Sequence, residues 1–245
     1  METAPHDTAL PDLDRLRRDF AGVDVWIFDL DNTLYPAEVR LFAQIEARMT
    51  AYVQRLLDVD AAEANRLRAH YWREHGTTLA GLMAHHGIDP VAYLGDVHDI
   101  DFSALTPDPD LGAAIAALPG RRIVHTNADA AYAGKVLAHR GLTGFEQVYG
   151  IEEVGWHPKP DPRSFAAVAV AHGIDPTRAA MFEDDPRNLE CPHSLGMRTI
   201  LVGPGRHGPD ELAEGHTHGP HVQHRTHDLT AFLRRVAQAL SGMAD

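Results

Sequence analysis

Two aspartates two positions apart, Asp29 and Asp31, follow an almost unbroken apolar run from Val23 to Phe28 in the segment VDVWIFDLDNTLYP. An aspartate carboxylate can attack phosphorus and form an acyl-phosphate, which divides one difficult hydrolysis into two easier displacements. A second aspartate, carried over the turn, can protonate the leaving oxygen and later accept a proton from the attacking water. Three further groups fit the same chemistry: Thr126 and Asn127 after RIVH, Lys159 in HPKPDP, and Glu183, Asp184 and Asp185 after AAMF. Mg2+ takes oxygen ligands and bridges carboxylates to a substrate phosphate, so Asp29, Asp184 and, through water, Glu183 form the expected metal set. Thr126 and the backbone N–H groups near Asn127 are expected to grip phosphate oxygens, while Lys159 neutralises charge between nucleophile and phosphate. Asn188, four residues beyond Asp184, is placed to steady the acidic loop by hydrogen bonding. Taken singly these are a turn, a loop, a solvated lysine and a helix cap. What joins them is their order, with the aspartates, Thr126–Asn127 and the acidic triplet each at the end of an apolar run and Lys159 just before a helix.

Those runs supply the scaffold. Val23–Phe28, Arg122–Thr126, Ala179–Phe182 and Thr199–Val202 read as strands covered on both faces, with a weaker run near Val148–Ile151. Between them lie helical patterns: DAAYAGKVLAHR stops at Gly141, and DPRSFAAVAVAH starts with Asp161 and Pro162 and stops at Gly173. Alternating strands and helices imply an α/β fold with a mostly parallel, doubly wound sheet, whose ligands bind at the carboxyl ends of the strands. From Pro36 to about Pro107 the pattern changes to long helices, including EVRLFAQIEARMTAYVQRLL and AAEANRLRAHYWREHG, with no convincing strand. This predicts a helical cap over residues 38–105, inserted after the first strand, with the catalytic core formed by residues 20–37 and 106–245.

Composition narrows the partners. With 245 residues, 44% of them hydrophobic, the chain can bury a substantial core. Against 22 Lys and Arg stand 35 Asp and Glu, a net charge of −13, so the average surface repels nucleic-acid polymers and acidic lipid. The same excess of negative charge requires a local positive field, from Lys159 and Mg2+, wherever a phosphate binds. No stretch is apolar for long enough to span a bilayer, and the first twenty residues lack an apolar core behind a basic start. The lone Cys191 has no internal disulfide partner. A cytoplasmic protein, monomer or homodimer, is expected.

These residues resemble the haloacid dehalogenase-like hydrolase superfamily: DLDNTLYP its first motif, TN its second, Lys159 in PKP its third and FEDDPRNL its fourth. The likeness runs from Val23 to the last helix. It implies a Rossmann-like core, a helical cap after the first strand, Mg2+, nucleophile Asp29 and acid/base Asp31, with the Asp31 backbone carbonyl among the metal ligands. Dehalogenating members lack the second aspartate, so Asp31 indicates phosphate chemistry. The fourth motif departs from the pair of aspartates followed by serine found in many relatives, which opens the division of metal duty between Glu183 and Asp184. Within the superfamily, DLDNTLYP, YWREHGTTLAGLM, VHDID and the FED and NL of the fourth motif are most similar to the bacterial pyrimidine 5′-nucleotidase subgroup. The implied substrate is a small phosphorylated metabolite, a nucleoside monophosphate ahead of pyridoxal phosphate, phosphoglycolate or a sugar phosphate. A phosphomutase and a catalytically silent binding protein are the remaining alternatives.

Substrate choice is expected to lie in the cap, where Arg48, Tyr52, Tyr71, Trp72 and His75 are candidates for stacking on a base or contacting a leaving group. The tail carries His207, His216, His218, His221, His224 and His227. Their spacing matches no structural zinc pattern, and the stretch reads as an exposed loop over about 206–227 that leads into a last strand and a terminal helix over about 228–241.

Overall fold

A computed structural model describes residues 12–204 and 219–242. In chain order the elements are α1 (Leu13–Phe20), β1 (Val25–Phe28), α2 (Leu41–Leu57), α3 (Ala61–His75), α4 (Thr78–His86), α5 (Pro90–Val97), α6 (Pro109–Ala116) and β2 (Arg121–His125). Then come α7 (Ala130–Arg140), β3 (Gln147–Tyr149), α8 (Pro162–His172), β4 (Ala179–Glu183), α9 (Glu190–Ser194), β5 (Arg198–Val202), β6 (His224–Thr226) and α10 (Leu229–Ser241). The six strands form one parallel sheet in the order β3-β2-β1-β4-β5-β6, flanked by helices, an α/β Rossmann-like arrangement. The strand order reverses at β1, so the crevice above its carboxyl end lies at the switch point between β2 and β4.

The apolar runs become these strands because both faces of the sheet are covered. All four residues of β1 and all five of β4 are buried. Across the β1/β4 pair, Phe28 and Phe182 stack with ring centroids 4.7 Å apart. Gly120 explains the tight approach to β2: its φ is +83°, and a Cβ there would sit 2.2 Å from the Asp24 carbonyl oxygen. Side-chain caps fix the helix starts. Asp129 accepts from the Tyr132 amide, Asp161 from Arg163, and Asp228 from Ala231, each supplying an acceptor for an otherwise orphaned N–H. Left-handed Gly141 and Gly173 close α7 and α8.

Helices α2 to α5 form their own assembly: α2 packs on α3 and α5, and α4 on α3 and α5. The sequence pattern places the first of these helices from Glu38, but a short 3-10 turn over Ala37–Val39 and a left-handed Arg40 delay α2 to Leu41. One buried side chain ties both linkers of this assembly. Arg140 donates through Nε to the Leu34 carbonyl at 3.2 Å, through Nη1 to the Thr106 carbonyl at 2.7 Å and through Nη2 to Asp108 at 2.7 Å. The chain leaves the sheet and returns to it across a single guanidinium, whose planar fork suits three acceptors at once.

The last strand is β6, with His224 buried and bonded to Asp19 at 3.0 Å. His207, His216 and His218 lie outside the described residues. Among the described residues no helix is long and apolar enough to cross a membrane.

Candidate active site

A cleft of about 390 Å3 opens above β1. Its core wall carries Asp29, Asp31, Thr126, Asn127, Glu183, Asp184 and Asp185, which the strand ends suggested, together with Lys159 and Asn188. Each arrives there for a local reason. Asp29 follows β1 directly and its amide extends the ladder to Phe182. Asn32 takes a left-handed φ of 56°, which asparagine tolerates, and turns the chain so that Asp31 also faces the cleft. Thr126 follows β2 and caps its own turn, its Oγ1 accepting from the Ala128 amide at 3.1 Å.

Lys159 is the centre of this wall. It is 1% exposed, and its Nζ donates to Asp29 Oδ1 and Glu183 Oε2, each at 2.6 Å, and to the His125 carbonyl at 2.8 Å. Asn127 holds the lysine loop rather than presenting its own amide: its side chain pairs with the Lys159 backbone in both directions, at 2.8 and 3.1 Å. Burial would lower the Lys159 ammonium, but the charges of Asp29 and Glu183 together outweigh it and hold it above its ordinary value. Burial first, then the Glu183 charge, push the Asp29 carboxyl up to about 7, with Lys159 pulling it down. Glu183 is also pushed up to about 7, chiefly by burial, against the pull of Lys159. Two buried carboxylates that one ammonium does not fully neutralise call for a further cation.

The donor set fits one. Carboxylate oxygens of Asp29, Glu183 and Asp184 lie within 4.8 Å of one another, all from buried residues, and all are hard oxygen donors. Glu183 is already engaged at both oxygens, by Lys159 at Oε2 and by Asn188 Nδ2 and the Asp185 amide at Oε1, at 3.2 and 3.3 Å. The Asn188 Oδ1 beside it is buried without a partner among the described residues, a place for an ion-held water to donate.

Asp31 sits differently. Both Tyr35 and Tyr132 donate to its Oδ1, at 2.6 and 2.7 Å. Burial holds its carboxyl above its ordinary value, against the downward pull of these two hydroxyls. Neither tyrosine was singled out from the sequence, although Tyr35 stands inside DLDNTLYP and Tyr132 in the helix that begins DAAY.

The opposite wall comes from the inserted helices. One stripe of α3, Asn65, Arg68, Ala69 and Trp72, lines the cleft with Phe42, Glu46 and Met49 of α2. The spacings i, i+3, i+4 and i+7 put these residues on one helix face. Of the five cap candidates, Trp72 alone lies on that face. Arg48 turns away to Asp96 and Asp99, and Tyr52 packs edge-on against Tyr93 with centroids 4.8 Å apart. Tyr71 is buried against α4, its hydroxyl 2.7 Å from His86, and His75 pairs with His85 at 3.0 Å. Trp72 touches the core as well as the cleft: the Arg187 guanidinium lies 3.2 Å from its ring centroid and is held from behind by Asp185 at 2.8 Å.

A parallel sheet thus carries, at its switch point, a buried lysine between two carboxylates with a third carboxylate beside them. The sequence model of the haloacid dehalogenase-like hydrolase family matches residues 23–196, and the chain belongs to that family. Phosphate metabolism protein 8 of Saccharomyces cerevisiae is 27% identical over 210 residues, 78% of this chain and 63% of that protein. The fructose-1-phosphate phosphatase YqaB of Escherichia coli is 35% identical over 86 residues, 34% of this chain and 45% of that one. The matched stretches thus span less than two thirds of either relative's length. Among solved structures, a predicted phosphoglycolate phosphatase from Haemophilus somnus superposes with a TM-score of 0.61 at 17% identity, over 87% of this chain and 97% of its own. At that identity the likeness is one of fold.

Proposed function

We propose that the protein is a Mg2+-dependent phosphomonoester hydrolase that forms an aspartyl-phosphate on Asp29, and that its substrate is a nucleoside 5′-monophosphate, pyrimidine nucleotides first. The observation that carries this reading is the buried lysine bridge between Asp29 and Glu183, with Asp31 two residues away and held by two hydroxyls. Asp29 attacks phosphorus and the bond to the leaving oxygen breaks. Asp31 gives that oxygen its proton, so the alcohol leaves neutral. Water then attacks the phosphoryl group, passes a proton to Asp31 and frees Asp29. Lys159 and the amides after Thr126 balance the charge on the phosphoryl oxygens. Asp29, Asp184 and the Asp31 carbonyl would hold Mg2+ directly, and Glu183, already spoken for at both oxygens, through water. When bound, Mg2+ supplies positive charge against the phosphate and the carboxylates around it.

The helices between residues 38 and 105 serve in this reading as the cap, over a core of residues 20–37 and 106–245. A nucleotide is favoured by the cleft's second wall. Trp72, Phe42 and Met49 give flat or apolar surface, and Asn65 and Arg68 give polar groups further along the same face. A sugar phosphate is the second reading, favoured by the name of the E. coli relative. In both, the protein acts in the cytoplasm on a small metabolite.

The test is phosphate release from CMP, UMP, dTMP, AMP, GMP, pyridoxal phosphate, phosphoglycolate and several sugar phosphates, with Mg2+ and with EDTA. Metal-dependent release fastest from CMP or UMP supports the nucleotidase reading. Fastest release from a sugar phosphate keeps the chemistry and changes the substrate. No release from any of them moves the reading to a mutase or a binding protein.

A further inference from the structure

Asp31 is fixed by an apparatus that reaches into the inserted helices. Its Oδ1 takes both tyrosine hydroxyls, which uses the two lone pairs of that oxygen. A proton on this carboxyl therefore resides on Oδ2, for which no hydrogen bond exists among the described residues. The Tyr132 ring is held in turn by two groups from the other side of the cleft. His98, at the end of α5, stacks on it with centroids 4.3 Å apart and planes 19° from parallel, and Phe102 packs beside it at 5.9 Å. His98 is itself latched: its Nδ1 donates to Asp129 Oδ2 at 2.6 Å. Asp129 Oδ1 meanwhile caps α7 by accepting from the Tyr132 amide at 2.7 Å. One carboxylate thus registers both the backbone that carries Tyr132 and the ring that covers it. Burial opposes ionisation of Asp129, yet the bonds from His98 and Tyr132 hold it below its ordinary range.

We propose that His98 is a positioning residue for Asp31: through Tyr132 it fixes the carboxyl with Oδ2 as the proton-bearing oxygen. The inference rests on the phosphatase reading and deepens it. The step it serves is proton delivery. As the bond from phosphorus to the leaving oxygen breaks, the proton on Asp31 Oδ2 moves to that oxygen. Asp29 keeps the phosphoryl group, and Asp31 is left as the carboxylate that later takes a proton from water.

A merely structural role for these rings would slow every substrate alike, whereas a role in proton delivery depends on the leaving group. An alkoxide needs the proton; p-nitrophenolate leaves without it. The test therefore compares benzyl phosphate with p-nitrophenyl phosphate, two esters of similar shape, by alcohol release in the first turnover with Mg2+. Tyr132→Phe and His98→Phe are the variants, the second keeping a ring on Tyr132 while losing the latch. The expected result is a 10- to 100-fold slower release of benzyl alcohol, p-nitrophenol release within about threefold of wild type, and KM within about twofold for both. Equal losses on the two esters, or no loss in either variant with the thermal midpoint unchanged, overturn the proposal. A variant that unfolds is replaced by Tyr35→Phe, which removes the other hydroxyl and carries the same expectation. A wild-type protein that hydrolyses neither ester overturns the phosphatase reading itself, and this inference with it.

Discussion

The two walls of the cleft are built on opposite principles. The core wall is a set of charges locked at strand ends, where Lys159, Glu183 and Asp29 are each at most 6% exposed and joined by bonds of 2.6 Å. The wall from the inserted helices is a helix face of mixed apolar and polar side chains, with bonds largely among its own members, such as Arg68 to Thr50 at 2.7 Å. Chemistry requires positions fixed to a fraction of an ångström, which a buried sheet provides. A separate helical layer leaves a surface that can be varied without disturbing that geometry. Two of the contacts between the walls are Trp72 with Arg187, beside the acidic loop, and His98 with Asp129, beside Asp31.

If the division is right, the largest effects belong to the core wall. Asp29→Asn should abolish turnover, by at least about 10^4-fold, in a protein that remains folded, because an amide cannot form the phosphoenzyme. Wild-type turnover in that variant would break the comparison outright. Asp31→Asn should slow both leaving-group departure and dephosphorylation, by about 10^2- to 10^4-fold, with substrate binding mostly intact. A change confined to KM would mean the role assigned to Asp31 is mistaken.

Arg140→Met tests how the walls are held together. It strips three acceptors of their buried donor, and unfolding in urea should show a loss of about 3 kcal/mol. A loss under about 0.5 kcal/mol would mean that the linkers do not depend on this side chain.

A smaller effect separates the sheet from the site it carries. His125 is fully buried in β2, with Nε2 2.8 Å from Ser164 Oγ, and burial followed by the Lys159 charge holds its imidazole well below its ordinary value. The folded protein keeps it neutral while the unfolded chain protonates it near pH 6.5, so its contribution is full above that pH and is lost as pH falls below it. The slope is at most about 1.4 kcal/mol per pH unit. Paired His125→Leu and Ser164→Ala substitutions should flatten the fall in stability between pH 6.5 and 5 relative to wild type, measured by thermal unfolding. Identical slopes would show that His125 does not titrate in this way.

The smallest effects are expected within the helical wall. Trp72→Ala should lower kcat/KM about tenfold, roughly 1.4 kcal/mol, while Tyr52→Phe and His75→Ala stay within about twofold of wild type. Equal losses for all three would erase the distinction between the stripe that lines the cleft and the faces that do not.

The contrast also explains what could be read from the sequence. Strands β1, β2, β4 and β5 were legible because a doubly covered strand is a continuous apolar run, and the residue that ends such a run must stand at the carboxyl edge of the sheet. Asp29, Thr126 and Glu183 are found by that rule alone. Strand β3, only Gln147–Tyr149 with an exposed first residue, gives a weak and displaced signal. Helix α1 announces itself only through Leu16 and Phe20 in a charged octet. Helical residues have no comparable rule: Tyr71 and Trp72 are neighbours in sequence, yet the 100° turn between them sends one into the helix pair and the other into the cleft. Arg140, His98, Tyr132 and Arg187 acquire their importance from partners 31 to 115 residues away, such as Asp129 and Trp72, and no local pattern marks them. Tyr35, four residues after Asp31, was within reach of a local argument.

The central claim is the covalent intermediate on Asp29. The direct measurement is peptide mapping by mass spectrometry of the Asp31→Asn protein, quenched in acid within its first turnover on the fastest substrate with Mg2+ present. A phosphoryl group on the peptide containing Asp29, absent when EDTA replaces the metal, is the predicted result. First-turnover release of the alcohol with no phosphoryl group on that peptide would contradict the account.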